Sequence, residues 1–237
     1  MTRRLFATLD IYHDETQRSA AMNMAIDEAL LEVANAPSIR FYRWNSPALS
    51  FGYFGKFADV VDYASKRDVV RRWTGGGIVF HGEDLTYSVV IPGRDPVFGE
   101  SSISIYEKIH RALTRTFVAM GREAVVAAGA ERGLRDTPRP AAVSARSYNG
   151  HCFTNPVRAD VLINGRKVAG AAQRRTRAGL LQQGSIQGVD LGNSLADRFA
   201  LSLSANCREH RINQKILDRA WELAQSKYGT DSWLHKC

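Results

Sequence analysis

Apolar positions recur every three or four residues from Ser19 to Ala36, where Met22, Ile26, Leu30 and Val33 make one stripe. That period predicts an amphipathic helix, with Ser19 as its N-cap. Asp27 and Glu28 fall off the stripe and are expected on a solvated face. The pattern then shortens. "SIRFYRWN", "LSFGYF" and "DVVRRW" are rich in β-branched and aromatic residues and bounded by Pro47, Gly52 and Gly55, which reads as strands. "GIVFHG" and "LTYSVVIPG" read as an antiparallel pair.

A second helical stripe, Tyr106, Ile109, Leu113, Phe117 and Met120, runs through "SSISIYEKIHRALTRTFVAMG", with Gly121 as its stop. The strand "EAVVAA" follows. The segment from Gly129 to Asn149 is polar, aperiodic and proline-bearing, the composition of a lid or binding loop. "ADVLINGRKVAGAA" predicts a hairpin turning at Asn164-Gly165, a pair suited to a type I′ turn. Counting outward from that turn pairs Ile163 with Arg166, Leu162 with Lys167 and Asp160 with Ala169. "LLQQGSIQ" adds a strand and "INQKILDRAWELAQSKYG" a closing helix. Strand groups with helices set between them predict an α+β fold and not a βαβ repeat.

Composition narrows the class. The 237 residues are 44% hydrophobic and 24% charged, enough for a full core. No apolar run reaches membrane-spanning length. The start is basic but breaks at Asp10, so no signal peptide is expected. Cys152, Cys207 and Cys237 are odd in number and lack C-x-x-C spacing, which points to reduced thiols in a cytoplasmic protein. No acidic pair recurs at a metal-ligand spacing. The net charge of +8 suits an acidic partner. The basic residues are scattered and carry no nucleic-acid-binding motif, which favours an acidic protein over nucleic acid.

Two segments could carry chemistry. "RRWTGGGIVFH" sets three glycines between strands, where the bare backbone can approach a ligand and consecutive N–H groups can form an anion nest. It lacks the ending of a P-loop and the spacing of a dinucleotide fingerprint. A tight hairpin turn would also explain the glycines, but Arg71, Arg72 and His81 around them suggest a polar ligand group. The second segment is "NGHCFTNP", a loop-like setting for Cys152. Read from its neighbours, that cysteine is either a small buried hydrophobe or a thiolate nucleophile favoured by a nearby cation. Lys167 is the candidate cation, provided the loop before Asp160 folds back toward it. His151 is expected in solvent, and Cys207 and Cys237 are expected to be incidental.

Taken in order, "MNMAIDEALL", "FYRWNSPALSFGYF", "RRWTGGGIVFHGEDLTYS" and "ADVLINGRKVAGAAQRR" resemble the lipoate–protein ligase and octanoyltransferase superfamily, related to the biotin protein ligases. The resemblance runs over roughly residues 15 to 190. It implies one catalytic domain over residues 1–237, α+β, with a larger sheet and a smaller one flanked by helices. It also implies an acyl tunnel beside the glycine loop, placing Arg72, Thr74, Gly75, Gly76, Gly77, His81 and Gly170 at the substrate and Lys167 among the catalytic groups. "DLTYS", "CFTNP", "GAAQRR" and "LLQQGSI" are similar to the cysteine-dependent octanoyltransferases of Gram-positive type, which makes Cys152 the acyl-accepting residue. Gln183 where histidine is common, Val157 where serine is common and the third glycine of the loop depart from that pattern.

The resemblance thus implies an ATP-independent octanoyltransferase that needs no cofactor. An acidic acyl carrier protein would be the donor, and an acidic lipoyl domain or glycine-cleavage H protein the acceptor, with no nucleic acid or membrane involved. The alternatives are an amidotransferase between lipoyl domains, an ATP- and Mg-dependent lipoate ligase with a passive Cys152, and a non-catalytic acyl- or nucleic-acid-binding module.

Overall fold

The computed structural model describes residues 4–128 and 157–236. Cys152, His151 and the Gly129–Asn149 loop lie outside the described residues. The fold is α+β, as the pattern predicts. The larger sheet has eight strands: β1 (Leu9–Arg18), β2 (Ser38–Trp44), β6 (Leu85–Pro92), β7 (Ala124–Val126), β8 (Val161–Ile163), β9 (Arg166–Arg175), β10 (Gly179–Ile186) and β11 (Cys207–His210). Their order is β11-β1-β2-β6-β10-β9-β8-β7. The smaller sheet is β4-β3-β5, from β3 (Ala48–Phe51), β4 (Asp68–Arg71) and β5 (Val79–His81). Five helices accompany them: α1 (Ala20–Val33), α2 (Ser102–Ala119), α3 (Leu195–Leu203), α4 (Gln214–Leu223) and α5 (Asp231–Leu234). Among the described residues no helix is long and apolar enough to cross a membrane.

Both faces of the larger sheet are covered, and the period of two shows which residue goes where. Ile39, Phe41, Val89, Ile91 and Leu180 share a core with Ile105, Ile109, Leu113 and Phe117 of α2 and Phe199 of α3. The alternate residues Tyr42, Trp44, Val90 and Leu181 pack with α1 and with Ile216 and Ala220 of α4. Every residue of β10 is therefore buried, so it shows no polar-apolar alternation.

Two expectations are corrected. "GIVFHG" and "LTYSVVIPG" do not pair with each other: β5 pairs with β3 in the smaller sheet, while β6 lies between β2 and β10 in the larger one. The turn at Gly82–Asp84 carries the chain from one sheet to the other, with the Gly82 N–H donating to Asp84 at 3.0 Å. One βαβ unit occurs among the described residues, and it does not make the fold a βαβ repeat. β1 runs parallel to β2, and α1 is the connection. The ladder of the β8–β9 hairpin slips by one residue, so Val161 pairs with Ala169 where unbroken counting puts Asp160. That irregularity is a β-bulge beside Lys167, and it leaves Asp160 outside the ladder with its carboxylate free to accept side-chain and loop donors.

Candidate active site

A narrow, mainly apolar cavity lies between the two sheets. The larger sheet contributes Tyr42, Trp44 and the small residues Gly170, Ala171, Ala172 and Gly184, while the smaller sheet contributes Ser50, Val79 and His81. A Cβ on Gly184 would sit 2.3 Å from the ring of Tyr87, so the glycine there makes room for a ring of the core on the other face of the sheet.

The glycine loop closes one wall. It approaches β3 so closely that a Cβ on Gly52 would lie 2.0 Å from the Gly76 carbonyl oxygen. Gly76 takes φ +86°, a conformation that favours glycine. Arg72, lining the cavity, shapes the loop from inside: Nη2 donates to the carbonyls of Gly75 at 3.0 Å and Gly77 at 2.7 Å, and Nη1 donates to Ser50 Oγ at 2.7 Å. Arg71 plays a different part from the one expected. Its guanidinium is buried and donates to the carbonyls of Tyr53, Gly55, Trp233, Leu234 and Lys236. It ties the C-terminal segment beneath the small sheet and does not line the cavity between the sheets.

Thr74 is fully buried and reaches across to the larger sheet, donating to Gln183 Oε1 at 2.8 Å. The amide of Gln183 is held in turn, since Nε2 donates to Asp27 Oδ2 at 2.7 Å. Asp27 also accepts from Arg40 at 2.9 Å, Tyr42 at 3.0 Å and Ser88 at 2.7 Å. The expectation of a solvated Asp27 and Glu28 is therefore overturned. Both are buried, Asp27 in this network and Glu28 against Lys227 and Tyr228. Helix α1 is covered on nearly its whole circumference, so the side off the apolar stripe is also interior.

His81 accepts or donates at both ring nitrogens: Nδ1 lies 2.9 Å from Asp84 Oδ2 and Nε2 lies 2.7 Å from Ser50 Oγ. Its ring stacks on Trp44 with centroids 4.0 Å apart. Burial pulls its pKa below the usual value, outweighing the neighbouring Asp84 carboxylate. Burial acts on Asp84 in the opposite sense, but hydrogen bonds from His81, Ser185 and the Gly82 N–H hold its carboxyl below the ordinary range.

The lysine expected at the site is there, and it is buried. Lys167 Nζ pairs with Asp160 Oδ2 at 2.8 Å, and the two side chains are 2% and 0% exposed. The lysine chain runs over the bare α-carbon of Gly170, where a Cβ would fall 2.5 Å from Cε and 2.7 Å from Nζ. Gly170 lines the cavity, and Lys167 packs against that glycine without being one of the cavity's lining residues. Asp160 is fixed from two further directions: Tyr106 donates to Oδ1 at 2.7 Å, and the Val157 N–H donates to Oδ2 at 2.7 Å. Burial, followed by the charge of Asp160, pushes the Tyr106 phenol far above its usual range, so it remains a donor. One helical turn on, His110 bonds the Ala159 carbonyl at 2.7 Å and Tyr87 at 2.8 Å, which anchors Ala159 at φ +67°. Sequence reasoning placed Tyr106 only in an apolar stripe, and its hydroxyl was the one available hint of a second role.

The sequence matches the lipoyl protein ligase A/B catalytic domain over residues 19–212. It is 38% identical over 229 residues to an octanoyltransferase LipM of Bacillus cereus, covering 91% of this chain and 75% of that protein. An octanoyltransferase LipM of Oceanobacillus iheyensis is 33% identical over 215 residues, covering 87% and 73%. Among solved structures, a putative lipoate protein ligase of T. acidophilum with bound lipoic acid superposes with a TM-score of 0.71 at 23% identity, over 97% of this chain and 99% of that one. A lipoate-protein ligase A bound with ATP gives 0.69 at 23% identity, over 97% and 98%.

Proposed function

The chain belongs to the lipoyl protein ligase A/B catalytic domain family, and on that premise we propose that it is an octanoyltransferase acting in lipoate biosynthesis. The donor is an octanoyl thioester on acyl carrier protein. The Cys152 thiolate attacks its carbonyl, a new C–S bond forms, the donor sulfur leaves, and the octanoyl tail lies in the cavity between the sheets. The lysine amine of a lipoyl domain or of glycine-cleavage H protein then attacks the Cys152 thioester. An amide results, and the proton released by the amine returns to the thiolate.

One observation supports the mechanism: a lysine ammonium paired with Asp160 is buried against Gly170, and Gly170 lines the apolar cavity. A fixed cation in a low-dielectric site stabilises both a thiolate and the oxyanion of a tetrahedral adduct. Val157 lies five residue steps from Cys152, a reach of at most about 18 Å, and Val157 is hydrogen-bonded to the same Asp160 that holds Lys167. The net charge of +8 suits electrostatic docking of two acidic protein partners. The setting for this chemistry is the cytoplasm.

The test is to mix the protein with octanoyl-acyl carrier protein without ATP and weigh it. A hydroxylamine-labile adduct of one octanoyl group, mapped to Cys152 and absent from Cys152→Ser, is expected. No adduct, together with consumption of ATP and free lipoate, would replace the transferase with a ligase.

A further inference from the structure

Ser50, His81 and Asp84 stand in line: Ser50 Oγ to His81 Nε2 at 2.7 Å, and His81 Nδ1 to Asp84 Oδ2 at 2.9 Å. All three are buried, and Ser50 and His81 both line the cavity. We propose that these residues form a second acyl-transfer centre, independent of Cys152, in which Ser50 takes the acyl group of an unbranched ester or thioester and water then releases it as the free acid.

The hydrogen bonds decide the direction of each proton. Asp84 is a carboxylate that also accepts from Ser185 and Thr86 at 2.7 and 2.8 Å, so His81 Nδ1 must carry a hydrogen and donate it. Nε2 is then unprotonated. Ser50 Oγ already accepts from Arg72 Nη1 at 2.7 Å, so its own hydrogen is directed at Nε2. This is the tautomer that lets a histidine act as base toward a serine. Burial also keeps the imidazole neutral around pH 7. Trp44, stacked on the ring, fixes the plane of the imidazole. Arg72 sets a permanent positive charge one hydrogen bond from the attacking oxygen, beside the place where the oxyanion would develop.

The step balances without any further reagent. Ser50 Oγ bonds to the acyl carbon, His81 Nε2 takes the hydroxyl proton, and the C–S or C–O bond of the substrate breaks. The departing thiolate or alkoxide receives that proton. Water, deprotonated by the same nitrogen, then attacks the Ser50 ester; the acyl C–O bond to Ser50 breaks, Ser50 Oγ takes the proton back from Nε2, and the free acid leaves. A purely structural wall would need neither this alignment nor this tautomer. The cavity's apolar side, with Met24, Tyr42 and Val79, suits an alkyl chain.

The experiment uses the full-length Cys152→Ala protein, which removes the thiol route. It is treated with an alkyl fluorophosphonate, and the tryptic peptide covering residues 44–56 is sequenced by mass spectrometry to separate Ser46 from Ser50. A phosphonyl adduct on Ser50 is expected. Hydrolysis of p-nitrophenyl butyrate and octanoate is followed beside it. Ser50→Ala and His81→Asn should each lower the Cys152→Ala rate at least ~100-fold, the scale of general-base catalysis. With His81 depressed, the rate at pH 6.5 should exceed half its plateau. No adduct on Ser50 in protein with the wild-type melting midpoint, or hydrolysis unchanged in Ser50→Ala, would overturn the proposal. The labelling arm leaves Ser50 intact, so it decides the matter even if Ser50→Ala folds poorly. An octanoyl adduct on Cys152 in the wild type bears only on the transferase reading.

Discussion

Gly170→Ala probes the seat of Lys167 with one methyl group. The new Cβ would lie 2.5 Å from Lys167 Cε, 2.7 Å from Nζ and 3.2 Å from Asp160 Oδ1. The backbone is not in a left-handed conformation there, so the clash falls on the lysine, whose long chain can move. Moving it breaks a contact between side chains that are 2% and 0% exposed. Asp160 still keeps Tyr106 and the Val157 N–H, so the loss is that of a charged hydrogen bond, ~1–3 kcal/mol. Alanine in place of glycine within a strand returns roughly 0.5–1 kcal/mol. The net destabilisation is therefore at most ~2.5 kcal/mol, and each kcal/mol lowers the melting midpoint by ~2–4 °C for a chain of this size. Catalysis should suffer more, because displacing a charge by about 1 Å at a reacting centre costs ~100-fold. The assay is single-turnover transfer from octanoyl-acyl carrier protein to a lipoyl domain, read beside a thermal melt. Transfer at the wild-type rate with an unchanged midpoint would refute the idea that Lys167 works from this seat.

Two other outcomes follow from the same geometry. Gln183→Leu removes the link between Thr74 and Asp27 and leaves two buried polar groups short of a partner, so it should cost ~1–3 kcal/mol in urea unfolding and loosen the glycine loop; hydrogen exchange at Gly75–Gly77 should rise, and unchanged exchange there would remove the link. His110 is buried and its pKa is lowered to about 4, so the unfolded chain binds its proton first as pH falls. Stability is therefore highest above about pH 6.5 and drains by up to ~3 kcal/mol toward pH 4. Urea titrations over that range should show a shallower loss in His110→Gln, and parallel curves would contradict the assignment.

What could be read in advance was local. Ser19 caps its helix as the spacing implies, accepting from the N–H of Met22. Asn164 at φ +49° and Gly165 at φ +73° make the turn their residue types favour. Arg72, Gly76, Gly170 and His81 line one cavity, and Lys167 packs against Gly170. What escaped depends on distant partners. Asp27 is charged and sits off the apolar stripe, and only Arg40, Tyr42, Ser88 and Gln183 make its burial tolerable. β1 carries polar residues at most positions and becomes a strand because β2 and β11 flank it. The bulge beside Lys167 cannot be counted from a turn, yet it frees Asp160 for the lysine.

The cavity is also the seam of the molecule. Trp44 stacked on His81, Thr74 bonded to Gln183, and Ser185 bonded to Asp84 are rivets driven through it from opposite sides. On the proposed reading, an acyl tail in that gap would touch both leaves at once, so cargo and mortar would be the same object. A protein that has just been charged should thus be stiffer than one that has just delivered its load.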